Sequence, residues 1–195
     1  MAIISKKPVT SVERNFGDDD DQSRVITAEV GGVRLVGVYA PNGQSVDSPA
    51  YQYKLAWYGK LQRWLSAKFK GGLPMVVCGD FNVAPEAIDT WDAAQWAGQT
   101  LFTPRERAAL AQMASANGLV DLFRVKHPDE NGQFSWWDYR AGAFRKNLGL
   151  RIDHLMVSES LVARCTAVEI DREARKAEGP SDHAPVWADF GDRLL

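Results

Sequence analysis

Residues 73–85 read Leu73-Pro74-Met75-Val76-Val77-Cys78-Gly79-Asp80-Phe81-Asn82-Val83-Ala84-Pro85. This stretch opens with an apolar run that lies between Gly71-Gly72 and Gly79. A short apolar run between such breakers predicts a strand that is buried on both faces. Gly79 is expected to let the backbone turn where this strand ends, and ligand sites gather at strand ends in α/β sheets.

Asp80 and Asn82 come just past the predicted end of this strand. In an extended segment, side chains two residues apart point the same way, so a carboxylate and an amide are expected side by side. Such a pair can hold a hard cation or orient a water molecule. It can equally form an Asx-turn, with Pro85 ending the strand. From these residues alone, both interpretations stay open.

Two later stretches repeat this pattern. Asp153 interrupts an apolar run at residues 150–157, and Ser181-Asp182-His183-Ala184-Pro185 stands near the C-terminus. Acids and histidines are the side chains that bind metals and transfer protons. Three such interruptions of strand-like sequence predict one shared site, where neighbouring strands end.

The charge balance limits how the chain could bind nucleic acid. Lys and Arg together number 23 against 25 Asp and Glu, which gives a net charge of −2. The chain is therefore not a generally basic protein, and DNA binding would need a local patch or a cation that bridges to phosphate. Most of the 7 Trp residues are expected in the core, and a few are expected to stack on nucleotides.

The length fits one domain over residues 1–195. The sequence contains no apolar run long enough to span a membrane, and residues 1–7 lack the pattern of a signal peptide. Cys78 and Cys165 both lie in apolar, strand-like surroundings, which favours buried free thiols but leaves a disulfide open. We expect a cytoplasmic protein without membrane association.

Strand signals dominate the first forty residues. Residues 2–5 predict a strand, and residues 17–21 predict an acidic, solvated turn. Residues 24–30 and 33–40 predict a hairpin, because Gly31-Gly32 can adopt the positive φ angles that a tight hairpin turn requires.

Two helices are predicted from their capping residues. The first starts at Ser48-Pro49 and ends near Gly71. The second opens with the capping box Thr103-Pro104-Arg105-Glu106 and ends at Gly118. Both have apolar residues at helical spacing, so we expect them to be structural.

The C-terminal half predicts further strands at residues 133–139, 151–157, 166–170 and 184–190, the last of which is expected to close the sheet. Between the first two, residues 140–149 alternate basic and aromatic side chains, which suits either a DNA-facing loop or an ordinary solvated loop. Many strands with few helices between them predict an α/β (α+β) fold with two packed sheets flanked by helices.

Taken together, the motifs resemble those of a known family. They are Gly37-Val38-Tyr39-Ala40-Pro41-Asn42-Gly43, Gly79-Asp80-Phe81-Asn82, Phe134-Ser135-Trp136-Trp137-Asp138-Tyr139-Arg140, Gly149-Leu150-Arg151-Ile152-Asp153 and Ser181-Asp182-His183-Ala184-Pro185. The chain resembles, over nearly its whole length, the exonuclease III family of DNA-repair nucleases, the AP endonuclease branch of the endonuclease/exonuclease/phosphatase superfamily. The resemblance implies a four-layer sandwich of two mainly antiparallel sheets flanked by helices.

The resemblance also implies catalytic roles for five residues. Asp80 would orient or deprotonate the attacking water, and Asn82 would hold that water or the phosphate. Asp153 would pair with His183, fix its tautomer and raise its basicity. Tyr39 would bond the phosphate or assist the leaving group.

By the same resemblance, Asp80, Asn82 and Asp182 would bind Mg²⁺, with Mn²⁺ as an alternative. The partner would be double-stranded DNA with abasic sites or 3′ ends. Trp136, with Leu150 and Ile152, would form an apolar pocket that admits an extrahelical sugar without a base. Arg140, in the basic loop, would contact the DNA.

The chain departs from the family at its start. Family members carry an additional N-terminal segment with two strands, an Asn and a Glu that serves as the main metal ligand. Neither residue has a counterpart here, so we expect weak metal binding and reduced turnover. We also expect self-association through the edge of the strand at residues 2–5, because its family neighbour is missing.

Three hypotheses follow from these residues. The first is a magnesium-dependent nuclease of base excision repair that cleaves beside abasic sites and trims 3′ ends. The second is a non-catalytic remnant that binds abasic DNA. The third is a phosphatase acting on a small or lipid phosphate, against which the Trp136-Trp137 stretch argues.

Overall fold

The computed structural model describes residues 1–18 and 22–191. Its strands are β1 Val9–Arg14, β2 Val25–Val30, β3 Val33–Tyr39, β4 Met75–Asp80, β5 Leu119–Asp121, β6 Trp136–Trp137, β7 Gly149–Leu150, β8 Asp153–Ser158, β9 Ala167–Ile170 and β10 Val186–Asp189. Its α-helices are α1 Pro49–Phe69, α2 Ala93–Trp96, α3 Pro104–Ala116, α4 Leu122–Lys126, α5 Ala143–Lys146 and α6 Glu159–Val162. Short 3-10 helices span Ala87–Asp89, Arg140–Gly142 and Arg172–Lys176.

A six-stranded sheet, in the order β1-β2-β3-β4-β8-β5, forms the largest layer. β3 and β4 pair in parallel, and the other neighbouring pairs in this sheet are antiparallel. β9 pairs with β10, and β6 with β7, in two smaller antiparallel sheets. The predicted α/β class with mainly antiparallel sheets is therefore confirmed.

Side chains that alternate along the strands supply a core on each face of this sheet. On β3, Val36 and Val38 join the cluster that contains residues of α1 and α3. Val33 and Leu35 point the other way, into the cluster that contains residues of α4, α6 and β9. The sheet is thus covered by helices on one face and by a second, mixed layer on the other.

Both predicted helices have the capping residues that the sequence indicated. The side chain of Ser48 accepts a hydrogen bond from the amide of Tyr51 at 3.2 Å, and Pro49 is the first residue of α1. Thr103 and Glu106 form the reciprocal capping box of α3. These local hydrogen bonds satisfy amide groups that a helix start leaves free, which is why the helix starts could be predicted.

Gly79 does not form the turn at the strand end that the sequence predicted. It lies inside β4, at φ 134°, and the strand continues to Asp80. A Cβ atom at Gly79 would lie 2.0 Å from the carbonyl oxygen of Val38 on β3. Glycine is therefore required by the close approach of two strands rather than by a turn.

The strand predicted at residues 2–5 is absent, and the first strand is β1. Ile4 is 94% exposed and Ile3 is only half-buried, and no described strand pairs with this segment. The exposed edge therefore belongs to β1, whose pairing with β2 is irregular between Thr10 and Glu13, and such irregularities discourage edge-to-edge pairing. Self-association of the chain stays a prediction, but the strand at residues 2–5 on which we based it is absent. Most of the predicted acidic turn, residues 19–21, lies outside the described residues.

Two other strand predictions were too long. Within residues 133–139 only Trp136–Trp137 forms a strand, because the Ser135 hydroxyl accepts the amides of Ile152 and Asp153 in place of a regular ladder. Residues 186–189 form β10, which pairs with β9 in a separate sheet and does not close the large one. Over residues 1–18 and 22–191, no helix is long and apolar enough to cross a membrane.

Candidate active site

Three strand ends meet at the candidate site. Tyr39, the last residue of β3, is in register with Asp80, the last residue of β4. Asp80 in turn is in register with Asp153, the first residue of β8. Because β3 and β4 run in parallel and β8 runs against them, the three side chains lie in one row at the same end of the sheet.

Asp80 and Asn82 form a compact unit. The backbone amide of Asn82 donates to Asp80 Oδ1 at 2.7 Å, and the side-chain amide of Asn82 donates to Asp80 Oδ2 at 3.0 Å. Asn82 has φ 51°, in the left-handed region that asparagine tolerates better than most residues. The Asx-turn and the predicted convergence of the two side chains are therefore both present.

The Asn82 side chain is held from other directions too. Its Nδ2 also donates to the carbonyl of Ala40 at 2.9 Å, and its Oδ1 accepts Asn42 Nδ2 at 3.1 Å. Asn82 is only 4% exposed, so both amide hydrogens are used inside the protein. Because its Oδ1 is buried and already accepts from Asn42, this arrangement suits a residue that orients Asp80 better than one that gives its amide oxygen to a metal.

His183 and Asp153 are in hydrogen-bond contact, as predicted. His183 Nδ1 lies 2.8 Å from Asp153 Oδ2, and the side chains are 31% and 17% exposed. Because a carboxylate accepts, Nδ1 carries the proton and donates it. Among the described residues no partner meets Nε2, so that nitrogen is available to a ligand.

The electrostatics of the row shift two pKa values in the same direction. Burial, and then the negative charge of Asp153, raise the pKa of Asp80 to about 7, although His183, Asn82 and Lys54 lower it. Burial lowers the pKa of His183, but the hydrogen bond and charge of Asp153 outweigh it, with help from Asp80 and Asp182, and raise this pKa overall. A buried carboxylate with a raised pKa beside an imidazole with a raised pKa is an arrangement that suits acid–base catalysis.

Trp136 connects Asp182 to the row. Its Nε1 donates to Asp182 Oδ2 at 3.0 Å, and its backbone forms a β-bridge with His183. The amide of Trp137 also donates to the carbonyl of Asp182, at 3.1 Å. Asp182 is thereby fixed beside the imidazole, so the three stretches around Asp80, Asp153 and His183 meet at one place.

The expected apolar pocket is not open in the structure. Leu150 and Ile152 are 0% and 2% exposed, and they pack in one cluster with Trp136 against its edge. Only Trp136 keeps part of its surface accessible. Leu150 and Ile152 therefore support Trp136 from below the surface, because a ligand cannot reach their side chains directly.

Tyr39 and Arg140 are accessible. Tyr39 is 48% exposed, and the guanidinium of Arg24 lies 5.1 Å from the centre of its ring. Arg140 is exposed on its 3-10 helix, and the neighbouring Tyr139 donates its hydroxyl to the carbonyl of Pro180 at 2.8 Å. The basic loop is thus anchored to the turn that precedes Asp182.

The donor chemistry of the row suits a weakly held hard cation. Within the described ranges, no group of three or more His, Cys, Asp or Glu side chains could hold a metal ion. Mg²⁺ usually takes only one or two carboxylates and keeps several waters, so a full cage is not required. The raised pKa of Asp80 records a buried carboxylate beside a like charge, and a cation there would relieve the repulsion. Asp80 and Asp182 fit this requirement, whereas the amide of Asn82 is already engaged.

Three residues that hold the site in place were not predicted from the sequence. Lys54 is fully buried and donates to the carbonyl of Asn82 at 2.7 Å. Asn42 bonds the Asn82 side chain, and the Ser135 hydroxyl accepts the amide of Asp153 at 3.0 Å. Only Asn42 had a local signal, because it follows the end of a predicted strand as Asp80 does.

Comparisons with known proteins show the family and the fold. The model of the endonuclease/exonuclease/phosphatase family matches residues 1–183. Exodeoxyribonuclease III of Haemophilus influenzae is 36% identical over 203 residues, which cover 97% of this chain and 76% of that protein. The exodeoxyribonuclease of Bacillus subtilis is 35% identical over 187 residues, which cover 95% of this chain and 71% of the relative.

Solved structures share the fold. A structure of the 3′ phosphatase NExo from Neisseria, bound to a product DNA hairpin, superposes with a TM-score of 0.92 at 37% identity, over 95% of this chain and 72% of that one. An AP endonuclease from Archaeoglobus fulgidus superposes with a TM-score of 0.90 at 34% identity, over 95% of this chain and 72% of its own.

Proposed function

Because the chain belongs to the endonuclease/exonuclease/phosphatase family, within its exodeoxyribonuclease III group, we propose that this hydrolase cleaves DNA phosphodiesters. The proposed activities are those of a magnesium-dependent 3′-5′ exodeoxyribonuclease and abasic-site endonuclease in base excision repair. The observation that carries the proposal is the grouping of Asp80 and Asp153 in register with the His183 imidazole bound to Asp153, so that a buried carboxylate with a pKa of about 7 lies near an imidazole with a raised pKa.

Asp80 is the proposed general base. A pKa near the operating pH is best suited to proton transfer, and burial and the charge of Asp153 raise the pKa of Asp80 to about 7 before any cation binds. The attacking water gives its proton to Asp80 as its oxygen bonds to phosphorus, and the bond from phosphorus to O3′ breaks. Asn82 holds both carboxylate oxygens of Asp80, so the base is oriented before substrate arrives.

His183 and Tyr39 are the proposed donors to the phosphate oxygens. His183 donates to a non-bridging oxygen, and Tyr39 donates to the departing O3′. Asp153 keeps the proton of the His183 ring on Nδ1, so a second proton on Nε2 can be donated to a non-bridging oxygen. Although burial lowers the pKa of His183, the hydrogen bond and charge of Asp153 raise it overall, which favours this doubly protonated form. The Tyr39 hydroxyl donates to the departing O3′, which leaves as a hydroxyl, and the phenolate regains a proton from water.

Asp80 and Asp182 are the residues that would hold Mg²⁺, or Mn²⁺, which accepts the same oxygen donors. A bound divalent cation polarises the phosphate oxygens and offsets the charge that develops on them during hydrolysis. The remaining protein contribution at Asp182 is its hydrogen bond to Trp136, which sets the direction of the carboxylate.

Trp136 and Arg140 are the proposed DNA contacts. Trp136 keeps accessible surface beside His183, where a sugar without a base could pack against the indole ring. The exposed guanidinium of Arg140 suits a phosphate of the backbone. The two free thiols, Cys78 and Cys165, suit the reducing cytoplasm in which we propose the protein acts.

Cleavage of an abasic duplex, with Mg²⁺ and with EDTA, tests this function. The wild-type chain is expected to nick the abasic strand only with Mg²⁺. Asp80→Asn, which keeps the size of the side chain but cannot accept the proton of water, is expected to lose about 10²–10⁴-fold in rate. Tight binding of abasic duplex without any nicking would instead select the non-catalytic remnant.

Removal of a 3′ phosphate from DNA is the second candidate function. The observation that favours it is the Neisseria relative described as a 3′ phosphatase, with 37% identity and a TM-score of 0.92. Both activities would use the same row, since each attacks a phosphorus atom with water. A hairpin that ends in a 3′ phosphate, compared with an abasic duplex at equal concentration, ranks the two by their kcat/KM values.

A further inference from the structure

An ion pair lies buried directly behind the active-site row. Lys54 of α1 and Glu106 of α3 are both 0% exposed, and Lys54 Nζ lies 2.5 Å from Glu106 Oε1. Burial at this depth costs both ions their hydration, and the attraction between them rarely does more than compensate. The pair is therefore weakly explained by stability alone.

The lysine reaches both loops that carry the active-site amides. Besides Glu106, its Nζ donates to the carbonyl of Asn82 at 2.7 Å and to the carbonyl of Asn42 at 3.1 Å. An ammonium group has three hydrogens, so these three acceptors use all of them. The end of one side chain thus ties the backbone of two separate loops to α1.

Those two loops are also joined through their side chains. Asn42 Nδ2 donates to Asn82 Oδ1 at 3.1 Å, and Asn82 Nδ2 donates to Asp80 Oδ2 at 3.0 Å. Asn82 has φ 51°, a conformation that persists when its surroundings hold it. The hydrogen bond from the fully buried Lys54 to the carbonyl of this same residue supplies such a hold.

Glu106 is itself immobilised. Its Oε1 accepts the amide of Leu101 at 3.0 Å and the hydroxyl of Thr100 at 3.1 Å. Its Oε2 accepts the amide and the hydroxyl of Thr103 at 3.0 and 2.7 Å. The capping box that starts α3 therefore also fixes the carboxylate against which Lys54 is set.

We propose that Lys54, held by Glu106, is a positioning residue of the active site that aims the Asn42 and Asn82 amides and, through Asn82, the Asp80 carboxylate. The inference rests on the proposed hydrolysis, which it deepens. It assigns a role in the chemistry to two buried residues that touch neither substrate nor the reacting atoms. A displacement of about 1 Å in such a unit can cost about 10²-fold in rate.

The test uses the double variant Lys54→Met/Glu106→Gln. Removing both charges together avoids leaving an unpaired buried ion, which would destabilise the chain strongly. We expect kcat for abasic-duplex cleavage to fall about 10- to 100-fold, with KM for the duplex unchanged within about twofold. We also expect the ¹⁵N–¹H signals of the Asn42 and Asn82 side-chain amides to shift.

Two further variants separate positioning from mere stability. Leu65→Ala removes a core side chain of the same helix, 1% exposed, and about 16 Å further along its axis. It should lower stability to urea while leaving kcat and both amide signals unchanged. Glu106→Gln alone keeps an acceptor opposite Lys54 but leaves the Lys54 charge unpaired, so it should be less stable to urea than the double variant while its folded fraction retains more of kcat.

The outcomes distinguish this inference from the proposed function. If the wild-type chain cleaves and the double variant keeps its kcat, the positioning role is wrong. If the wild-type chain does not cleave, the proposed function fails, and unchanged amide signals in the double variant would separately overturn the positioning role. If the double variant does not fold, Lys54→Arg decides, because a planar guanidinium cannot meet the same three acceptors and should lower kcat.

Discussion

His183 Nδ1 and Asp153 Oδ2 lie 2.8 Å apart, and each residue is placed by a different part of the chain. Asp153 starts β8, whereas His183 is held by a bridge to Trp136. Because the two act through one hydrogen bond, we expect Asp153→Asn and His183→Gln each to lower kcat by about 10²–10⁴-fold. The double variant should lose little more than either single variant, since members of one catalytic unit are not additive.

Single-turnover cleavage of the abasic duplex by the three variants measures this coupling. Glu173→Gln serves as the control, because it removes a carboxylate from an exposed ion pair with Lys176 and should leave kcat unchanged. Losses that multiply in the double variant would show that Asp153 and His183 work independently.

Gly79→Ala should be among the most damaging small substitutions in the chain. The new Cβ would lie 2.0 Å from the Val38 carbonyl oxygen, at φ 134°, so β3 and β4 would have to separate. We expect a loss of about 3 kcal/mol or more in the free energy of unfolding. Gly98→Ala is the matched control: φ is +76° there, nothing lies within 4 Å, and the expected loss is about 1 kcal/mol.

Urea unfolding of both variants gives the comparison. Equal losses at the two positions would mean that backbone conformation alone, and not the contact with β3, makes glycine necessary at residue 79. A Gly79→Ala variant that still folds should also cleave slowly, because the same strand carries Asp80 at its end.

Local signals made much of the fold predictable. The hairpin of β2 and β3 and the starts of α1 and α3 follow from turn and cap residues that act on their immediate neighbours. The convergence of Asp80, Asp153 and His183 followed from their places at strand ends. Each of these inferences needed only a few consecutive residues and the regular geometry of strands.

What could not be predicted depends on distant partners. Residues 2–5 are as apolar as many strands, but no described strand lies beside them. Residues 133–139 form only a two-residue strand because the Ser135 hydroxyl takes backbone donors from residues 152 and 153. Lys54 looked like an ordinary polar position of α1, since only the folded structure brings Glu106 and the carbonyl of Asn82 to it.

His154 should make the fold sensitive to acid. Arg151 donates to its Nδ1 at 2.9 Å, and because arginine cannot accept, Nδ1 is unprotonated and Nε2 donates to the carbonyl of Val83 at 2.8 Å. Burial, and then the charge of Arg151, lower the pKa of His154 from 6.5, although Asp121 and Asp89 act against this. The folded state therefore holds a neutral ring while the unfolded state takes up a proton below its own pKa.

The sign of the effect follows from proton binding. Stability from neutral His154 is present in full above the unfolded pKa and is lost as pH falls below it, by at most about 1.4 kcal/mol per pH unit. Urea unfolding at pH 7.5 and 5.5 measures the loss. His154→Gln, which keeps a donor and an acceptor but does not titrate, should show a smaller loss between the two pH values. An equal loss in both proteins would assign the acid sensitivity to other groups.

Magnesium should bind this chain weakly. Of the three residues expected to hold the ion, Asn82 is only 4% exposed and its Oδ1 already accepts a bond from Asn42, and Asp182 accepts a bond from Trp136. Mg²⁺ gives up its waters reluctantly, so a site whose described oxygen donors are already partly engaged by protein hydrogen bonds should reach half-saturation on the order of 1 mM or above. Titration of Mg²⁺ into the cleavage assay measures this value, and Asp182→Asn should raise it further.

Trp136→Phe, which frees the second oxygen of Asp182 from its hydrogen bond, provides the comparison for the orientation of that carboxylate. Saturation at sub-millimolar Mg²⁺ with rapid turnover would contradict the prediction, because it would require a further carboxylate to join Asp80 and Asp182.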